Sequence, residues 1–206
     1  MVTAASSGIG HAMARALAAC GAAVALVGDE RDSMESLASR IHERGGKALV
    51  IQADIADEAE ARRAVDETGL RLGRLDILVN NPGVMHLNGL VGASIEEWKQ
   101  LVELNMLGVL YCAHAALPQL LAAAETEPRH VADLVTLSPM PGMVGFAAAL
   151  REQVGKRRVR IAVIEPGPVR APPFEPEDIA EAVTYVVTRP RRVEVEELRM
   201  HPAEER

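Results

Sequence analysis

Five short apolar runs recur along this chain, at 23–27, 48–53, 75–79, 134–137 and 159–164, and none shows a strict in-out alternation. A strand with one wet face alternates, whereas a strand covered on both faces stays apolar. Between the runs, apolar residues return at helical spacing. Ile9, Met13, Ala16 and Leu17 mark a helix that ends at Gly21, and Met34, Leu37, Ala38 and Ile41 mark one stopped by Gly45-Gly46. A charged helix spans about 58–72, and Phe146 to Val154 is helical. Ser94-Ile95-Glu96-Glu97 is a capping box that opens a long helix to about Ala124, with a kink or break expected at Pro118. Pro176-Glu177-Asp178 starts the last helix, and the tail at 198–201 reads as a final strand. Strands that alternate with helices predict a Rossmann-type, doubly wound parallel α/β sheet with helices on both faces. With 206 residues and no linker or repeat, the expectation is one domain over 1–206.

The chemistry begins at the first residues. Val2-Thr3-Ala4-Ala5-Ser6-Ser7-Gly8-Ile9-Gly10 runs straight into a helix. Glycines in such a turn let backbone approach a pyrophosphate, and a helix N-terminus offers free N–H groups to the charge. A plain tight turn is the competing reading, and the βαβ context weighs against it. Asp29 follows the next strand. An acid there accepts the ribose hydroxyls of NAD and repels the 2′-phosphate of NADP, so NAD is favoured over NADP.

Other motifs follow in order. The turn resembles the Thr-Gly-x-x-x-Gly-Ile-Gly motif of the short-chain dehydrogenase/reductase family, through Thr3, Ser6, Ser7, Gly8, Ile9 and Gly10. Asp54-Ile55 resembles the family's adenine-contacting acid, and Asn80-Asn81-Pro82-Gly83 its Asn-Asn-Ala-Gly. Asn105 is similar to the asparagine of the catalytic tetrad, and Ser138 to the serine beside the catalytic one. Pro166-Gly167-Pro168-Val169 resembles the Pro-Gly-x-Val segment beside nicotinamide. The resemblance implies an oxidoreductase that moves a hydride between a nicotinamide cofactor and a carbonyl or secondary alcohol of a small molecule. It implies Asn105 and Ser138 on the catalytic side. It assigns Thr3, Ser6 to Gly10, Asp29, Asp54, Ile55, Asn80, Asn81, Gly83, Pro166, Gly167 and Val169 to the cofactor.

Departures from the family pattern are equally specific. The family's proton donor is the Tyr of a Tyr-x-x-x-Lys segment. Here Tyr111 is followed four residues later by Ala115, and Tyr185 by Arg189. Pro139 stands at the catalytic serine position, Ala4 at the first glycine and Ala171 where a Thr often contacts the carboxamide. Pro82 replaces Ala, and the first strand is nearly absent. His86 and His114 read as structural or exposed, not as replacement bases. The alternative is therefore a degenerate relative without catalysis, acting as a nucleotide-binding or partner subunit.

Composition closes off other classes. A net charge of −7 argues against nucleic acid, since phosphate binding needs clustered cations. The doublets Arg157-Arg158 and Arg191-Arg192 read as solvated faces. No apolar run is taken as a membrane span, and no signal peptide is read at 1–10. The scattered histidines predict no metal site. Cys20 and Cys112 read as buried thiols, which fits the cytoplasm. Leu101, Leu104, Leu107, Leu110 and Leu117 on the long helix, together with the family's habits, predict a homo-oligomer, a dimer or tetramer.

Overall fold

The computed structural model describes residues 1–82, 92–126, 128–138, 141–154, 157–166 and 174–201. Its strands are β1 (Ala23–Gly28), β2 (Lys47–Gln52), β3 (Ile77–Asn80), β4 (Ala132–Leu137), β5 (Val159–Pro166) and β6 (Glu197–Met200). Its helices are α1 (Gly8–Ala19), α2 (Arg31–Glu43), α3 (Glu58–Leu72), α4 (Ile95–Val102), α5 (Gly108–Ala124), α6 (Pro141–Val154) and α7 (Pro176–Val187). All strand pairs are parallel: β1 with β2, then β3, β4, β5 and β6 in succession.

Val2 joins the two ladders. It bridges to Leu26 on one side and Val79 on the other. The Val2 N–H donates to Ala25 O at 2.9 Å, Val27 N–H to Val2 O at 3.0 Å, and Thr3 N–H to Val79 O at 3.1 Å. The first strand is thus as short as the sequence predicts, yet it fills the central place. The order β2-β1-Val2-β3-β4-β5-β6 reverses direction around Val2. That reversal is the switch point of a doubly wound sheet, where a crevice opens at the carboxyl ends of the strands.

Both sheet faces are covered, which accounts for the apolar strands. Val24 and Leu26 pack with Met13 and Leu17 of α1, Met34 and Leu37 of α2, and Ile179 and Val183 of α7. Ala25 and Val27 point the other way, into a cluster with Val65 of α3, Ala116 and Leu120 of α5, and Ala147 of α6. With aromatics at 2%, this core is aliphatic: the fully buried large side chains are Leu, Ile and Met. Each such side chain contributes about 1.5–3 kcal/mol on leaving water.

Several expectations need correction. The long helix does not break at Pro118, which lies inside α5. Its irregularity is a π-helical turn at Glu103–Leu107, between α4 and α5. The combined segment 95–124 is, by length and composition alone, apolar enough to cross a membrane, contrary to the expectation from the sequence. Much of that apolarity is spent inward: Leu101, Val109, Cys112, Ala116 and Leu120 are buried. Cys20 is exposed because it caps the end of α1, while Cys112 is buried and its thiol is pushed up to about 12 by desolvation. α6 starts at Pro141, five residues earlier than the pattern suggests, with proline at the first position, where its missing N–H is not needed.

One polar knot holds the amino ends of β4 and β5. Asp133 is 1% exposed and takes a two-pronged contact from Arg160, Nε to Oδ1 at 2.7 Å and Nη2 to Oδ2 at 3.0 Å. Arg129 Nη2 adds a bond to Oδ2 at 2.7 Å. The Arg160 Nη1 group also donates to the carbonyls of Arg189 and Val193, which secures the chain leaving α7. A buried carboxylate without such partners is strongly destabilising.

Candidate functional site

The turn before α1 is built by its own side chains. The Ser7 hydroxyl accepts the Gly10 N–H at 3.0 Å and donates to Ala4 O at 2.9 Å, so one residue caps the helix and closes the loop. A Cβ on Gly10 would lie 2.2 Å from Ala4 O, which is why that position is glycine. Ala4 has φ of 44°, the left-handed region that glycine occupies freely. The alanine that replaces the family's first glycine is therefore accommodated in glycine's conformation, at a cost of about 1–2 kcal/mol. Gly8 is exposed at the helix start and has open space around it, with only the Pro176 ring at 3.8 Å from where a Cβ would be.

Asp29 lies just past the end of β1. Its Oδ1 accepts the Ser6 hydroxyl at 3.1 Å and the Glu30 N–H at 3.0 Å, and the carboxylate is exposed beside the turn. The Gln52 amide holds the Asp29 carbonyl at 2.9 Å. Behind Ser6, the Ser33 hydroxyl reaches Ser6 O at 3.4 Å and the His11 Nε2 atom at 3.1 Å. Burial, then the charges of Arg40 and Arg15, hold His11 below the usual imidazole range. His11 and Ser33 did not stand out in the sequence. The available signal was that His11 directly follows the glycine turn on the first helical face.

The other residues gather at the same end of the sheet. The Asn81 N–H donates to Thr3 Oγ1 at 2.9 Å and Thr3 Oγ1 donates back to Asn81 O at 3.3 Å, tying the first strand to the end of β3. Asn80 Nδ2 donates to Val109 O at 3.3 Å. Asn105 Nδ2 donates to Leu101 O at 3.1 Å across the π-helical turn, where the widened backbone leaves that carbonyl accessible. The Oδ1 atoms of Asn80 and Asn105 are buried with no hydrogen-bond partner among the described residues. Ile55 packs close to the start of α5, where a Cβ on Gly108 would be 3.1 Å from Ile55 O. Asp54 is exposed, and its Oδ1 accepts the Ala56 N–H at 2.9 Å at the entrance to α3. Ser138 is fully buried just past the end of β4, and Pro166 ends β5. Gly83, Gly167 and Val169 lie outside the described residues, as do Pro139, Ala171 and His86.

A cavity of about 700 Å³ opens at the opposite, amino end of the strands, among Met1, Ala23, Leu75, Ile77 and Val131. Its lining shares no residue with the turn or with the polar groups at the carboxyl ends of the strands. In a parallel sheet of this order, ligands sit at the carboxyl ends, and there the polar residues converge.

The sheet order and the glycine turn define a Rossmann-type α/β protein. The chain belongs to the short chain dehydrogenase family, whose sequence profile matches residues 1–137, and it is by family an oxidoreductase. It is similar to an uncharacterized oxidoreductase of Staphylococcus aureus, 29% identical over 98% of this chain and 96% of that protein. That alignment spans 223 positions, more than this chain has residues, so the relative carries positions that this chain lacks. Among solved structures it is similar to a metagenomic short-chain oxidoreductase in complex with NADP, with TM-score 0.85, 27% identity and coverage of 98% and 96%. An alcohol dehydrogenase from the archaeon Thermococcus sibiricus, complexed with 5-hydroxy-NADP, gives TM-score 0.87 and 26% identity over 100% and 97%.

Proposed function

We propose that this protein is an NAD-linked, cytoplasmic oxidoreductase acting on a carbonyl or secondary alcohol of a small molecule, with a complete adenosine-binding half and a reduced proton-handling half. One observation carries the reading: the glycine turn is closed by Ser7 beside an exposed acid, Asp29, that Ser6 orients. The residues fit a dinucleotide. Gly8 leaves room at the N-terminus of α1 for a pyrophosphate, and Asp29 stands where ribose hydroxyls would donate. The Asp29 carboxylate repels a 2′-phosphate, so NAD is preferred although two similar structures carry NADP-type cofactors. Asp54 and Ile55 border the adenine side, while Asn81 and Thr3 hold the strand ends at the switch point.

Bound nicotinamide supplies or accepts the hydride. On this chain's side, Asn105 and Ser138 are the polar residues nearest in sequence pattern to the reacting end, and the Asn105 Oδ1 atom is buried without a hydrogen-bond partner among the described residues. No Tyr-x-x-x-Lys is present in the sequence, so the proton of the carbonyl oxygen is exchanged with water. Turnover is therefore slow. An assay of NADH and NADPH oxidation against a panel of ketones and aldehydes tests this. Slow turnover with NADH above that with NADPH supports it, and no turnover with either cofactor removes the enzyme reading.

The missing segment favours a second reading, a nucleotide-binding partner subunit without catalysis. A homo-oligomer serves either reading. Ile95, Trp98, Val102 and Leu104 leave an exposed apolar stripe along α4 and the π-helical turn, suited to a second copy. Light scattering at micromolar concentration gives a mass above the monomer if so.

A further inference from the structure

Behind Asp29 a chain of polar contacts runs through Ser6 and Ser33 to His11. Asp29 Oδ1 accepts from Ser6, the Ser6 carbonyl accepts from Ser33 at 3.4 Å, and the Ser33 hydroxyl meets His11 Nε2 at 3.1 Å. Ser33 has one hydroxyl hydrogen to share between Ser6 O and His11 Nε2, so the His11 tautomer decides which of the two receives it: with Nε2 protonated, His11 donates to Ser33 Oγ and frees the hydroxyl for Ser6 O. The chain links the turn and α1 to α2, across a boundary that is otherwise packed by apolar side chains such as Met13, Met34 and Leu37.

We propose that His11 and Ser33 are positioning residues that hold Ser6, and through it Asp29, in place, and that they thereby set how strongly this site prefers a free ribose over a 2′-phosphorylated one. The inference rests on the reading that this turn takes a dinucleotide. Neither residue needs to touch the cofactor. The charged groups acting on His11 are Arg40 on α2 and Arg15 on its own helix, and Arg15 is itself paired with Glu177 of α7. Burial first, and then these two charges, lower the His11 pKa from the ordinary imidazole value. When it does take up a proton, below its ordinary value, a positive charge arises behind Ser6 and favours the negative charge of a 2′-phosphate.

The test uses the whole chain with two probes, ADP-ribose and its 2′-phosphate, in titration calorimetry. Ser33→Ala is expected to weaken ADP-ribose about three- to tenfold and to narrow the preference between the probes, as expected for one lost hydrogen bond. His11→Gln keeps a donor and is expected to retain affinity at pH 7. For the wild type the preference for ADP-ribose is expected to narrow as the pH falls from about 8 to about 5.5, and His11→Gln removes that part of the change. The phosphate's own titration is common to both proteins and cancels. Unchanged binding in Ser33→Ala, or identical pH profiles for wild type and His11→Gln, overturns the positioning role. Should Ser33→Ala lower the thermal midpoint and both affinities in parallel, the role is structural and the proposal fails. A wild type that binds neither probe sinks the underlying dinucleotide reading instead.

Discussion

Residues 1–82 and residues 132–166 build neighbouring parts of one sheet, and they have kept different things. In the first part, the polar groups at the carboxyl ends are tied to one another: Thr3 with Asn81, Ser6 with Asp29, Ser7 with Gly10. In the second, the strand ladder is intact and the amino end holds the Asp133–Arg160–Arg129 knot; among the described residues its carboxyl end carries the buried Ser138, and the sequence holds no Tyr-x-x-x-Lys. The polar groups of the candidate site and the buried ion pair therefore sit at opposite ends of one sheet. One end can lose its groups without the other unfolding, because function lives in a site placed on the fold and not in the fold itself.

The comparison can be broken most forcefully at the knot. Arg160→Ala leaves Asp133 buried with one partner fewer, and chemical denaturation is expected to show a loss of about 3–5 kcal/mol. A loss under about 1 kcal/mol, the range of an exposed pair, means the second part is not held together at its amino end. The next effect is on the turn. Gly10→Ala puts a Cβ against backbone at Ala4 O, with an expected cost of about 1–3 kcal/mol and loss of ADP-ribose binding. Unimpaired binding in that variant shows that the turn is not the site. The smallest effect sharpens the picture. Ala4→Gly relieves the left-handed strain but adds freedom to the unfolded chain, so a net gain of about 0.5–1 kcal/mol in unfolding free energy is expected, with unchanged topology. A destabilised Ala4→Gly protein contradicts the strain argument.

The sheet was legible because both of its faces are covered: strands such as β1 and β5 carry no alternation, and only one class of architecture buries them. The turn was legible because Gly8 and Gly10 flank a helix start. Asn105 was singled out only through the family resemblance, and its setting, a π-helical turn, has no local sequence signal. A break at Pro118 does not occur, because a proline inside a helix is tolerated where the backbone relaxes around it, and here α5 continues through it. Cys20 misled because its apolar neighbours belong to the buried face of α1, while Cys20 itself sits at the helix end. The Asp133–Arg160 knot was invisible because its partners are 27 residues apart and meet only when β4 pairs with β5.

The central claim is that the adenosine half of the site is complete and the nicotinamide half is not. Calorimetric titration of this protein with NAD and with ADP-ribose tests it directly. Similar affinities are expected for the two, both stronger than for NADP, because the nicotinamide end adds little. NAD bound more than about a hundredfold tighter than ADP-ribose, a gain of roughly 2.7 kcal/mol, or NADP bound tighter than NAD, contradicts it.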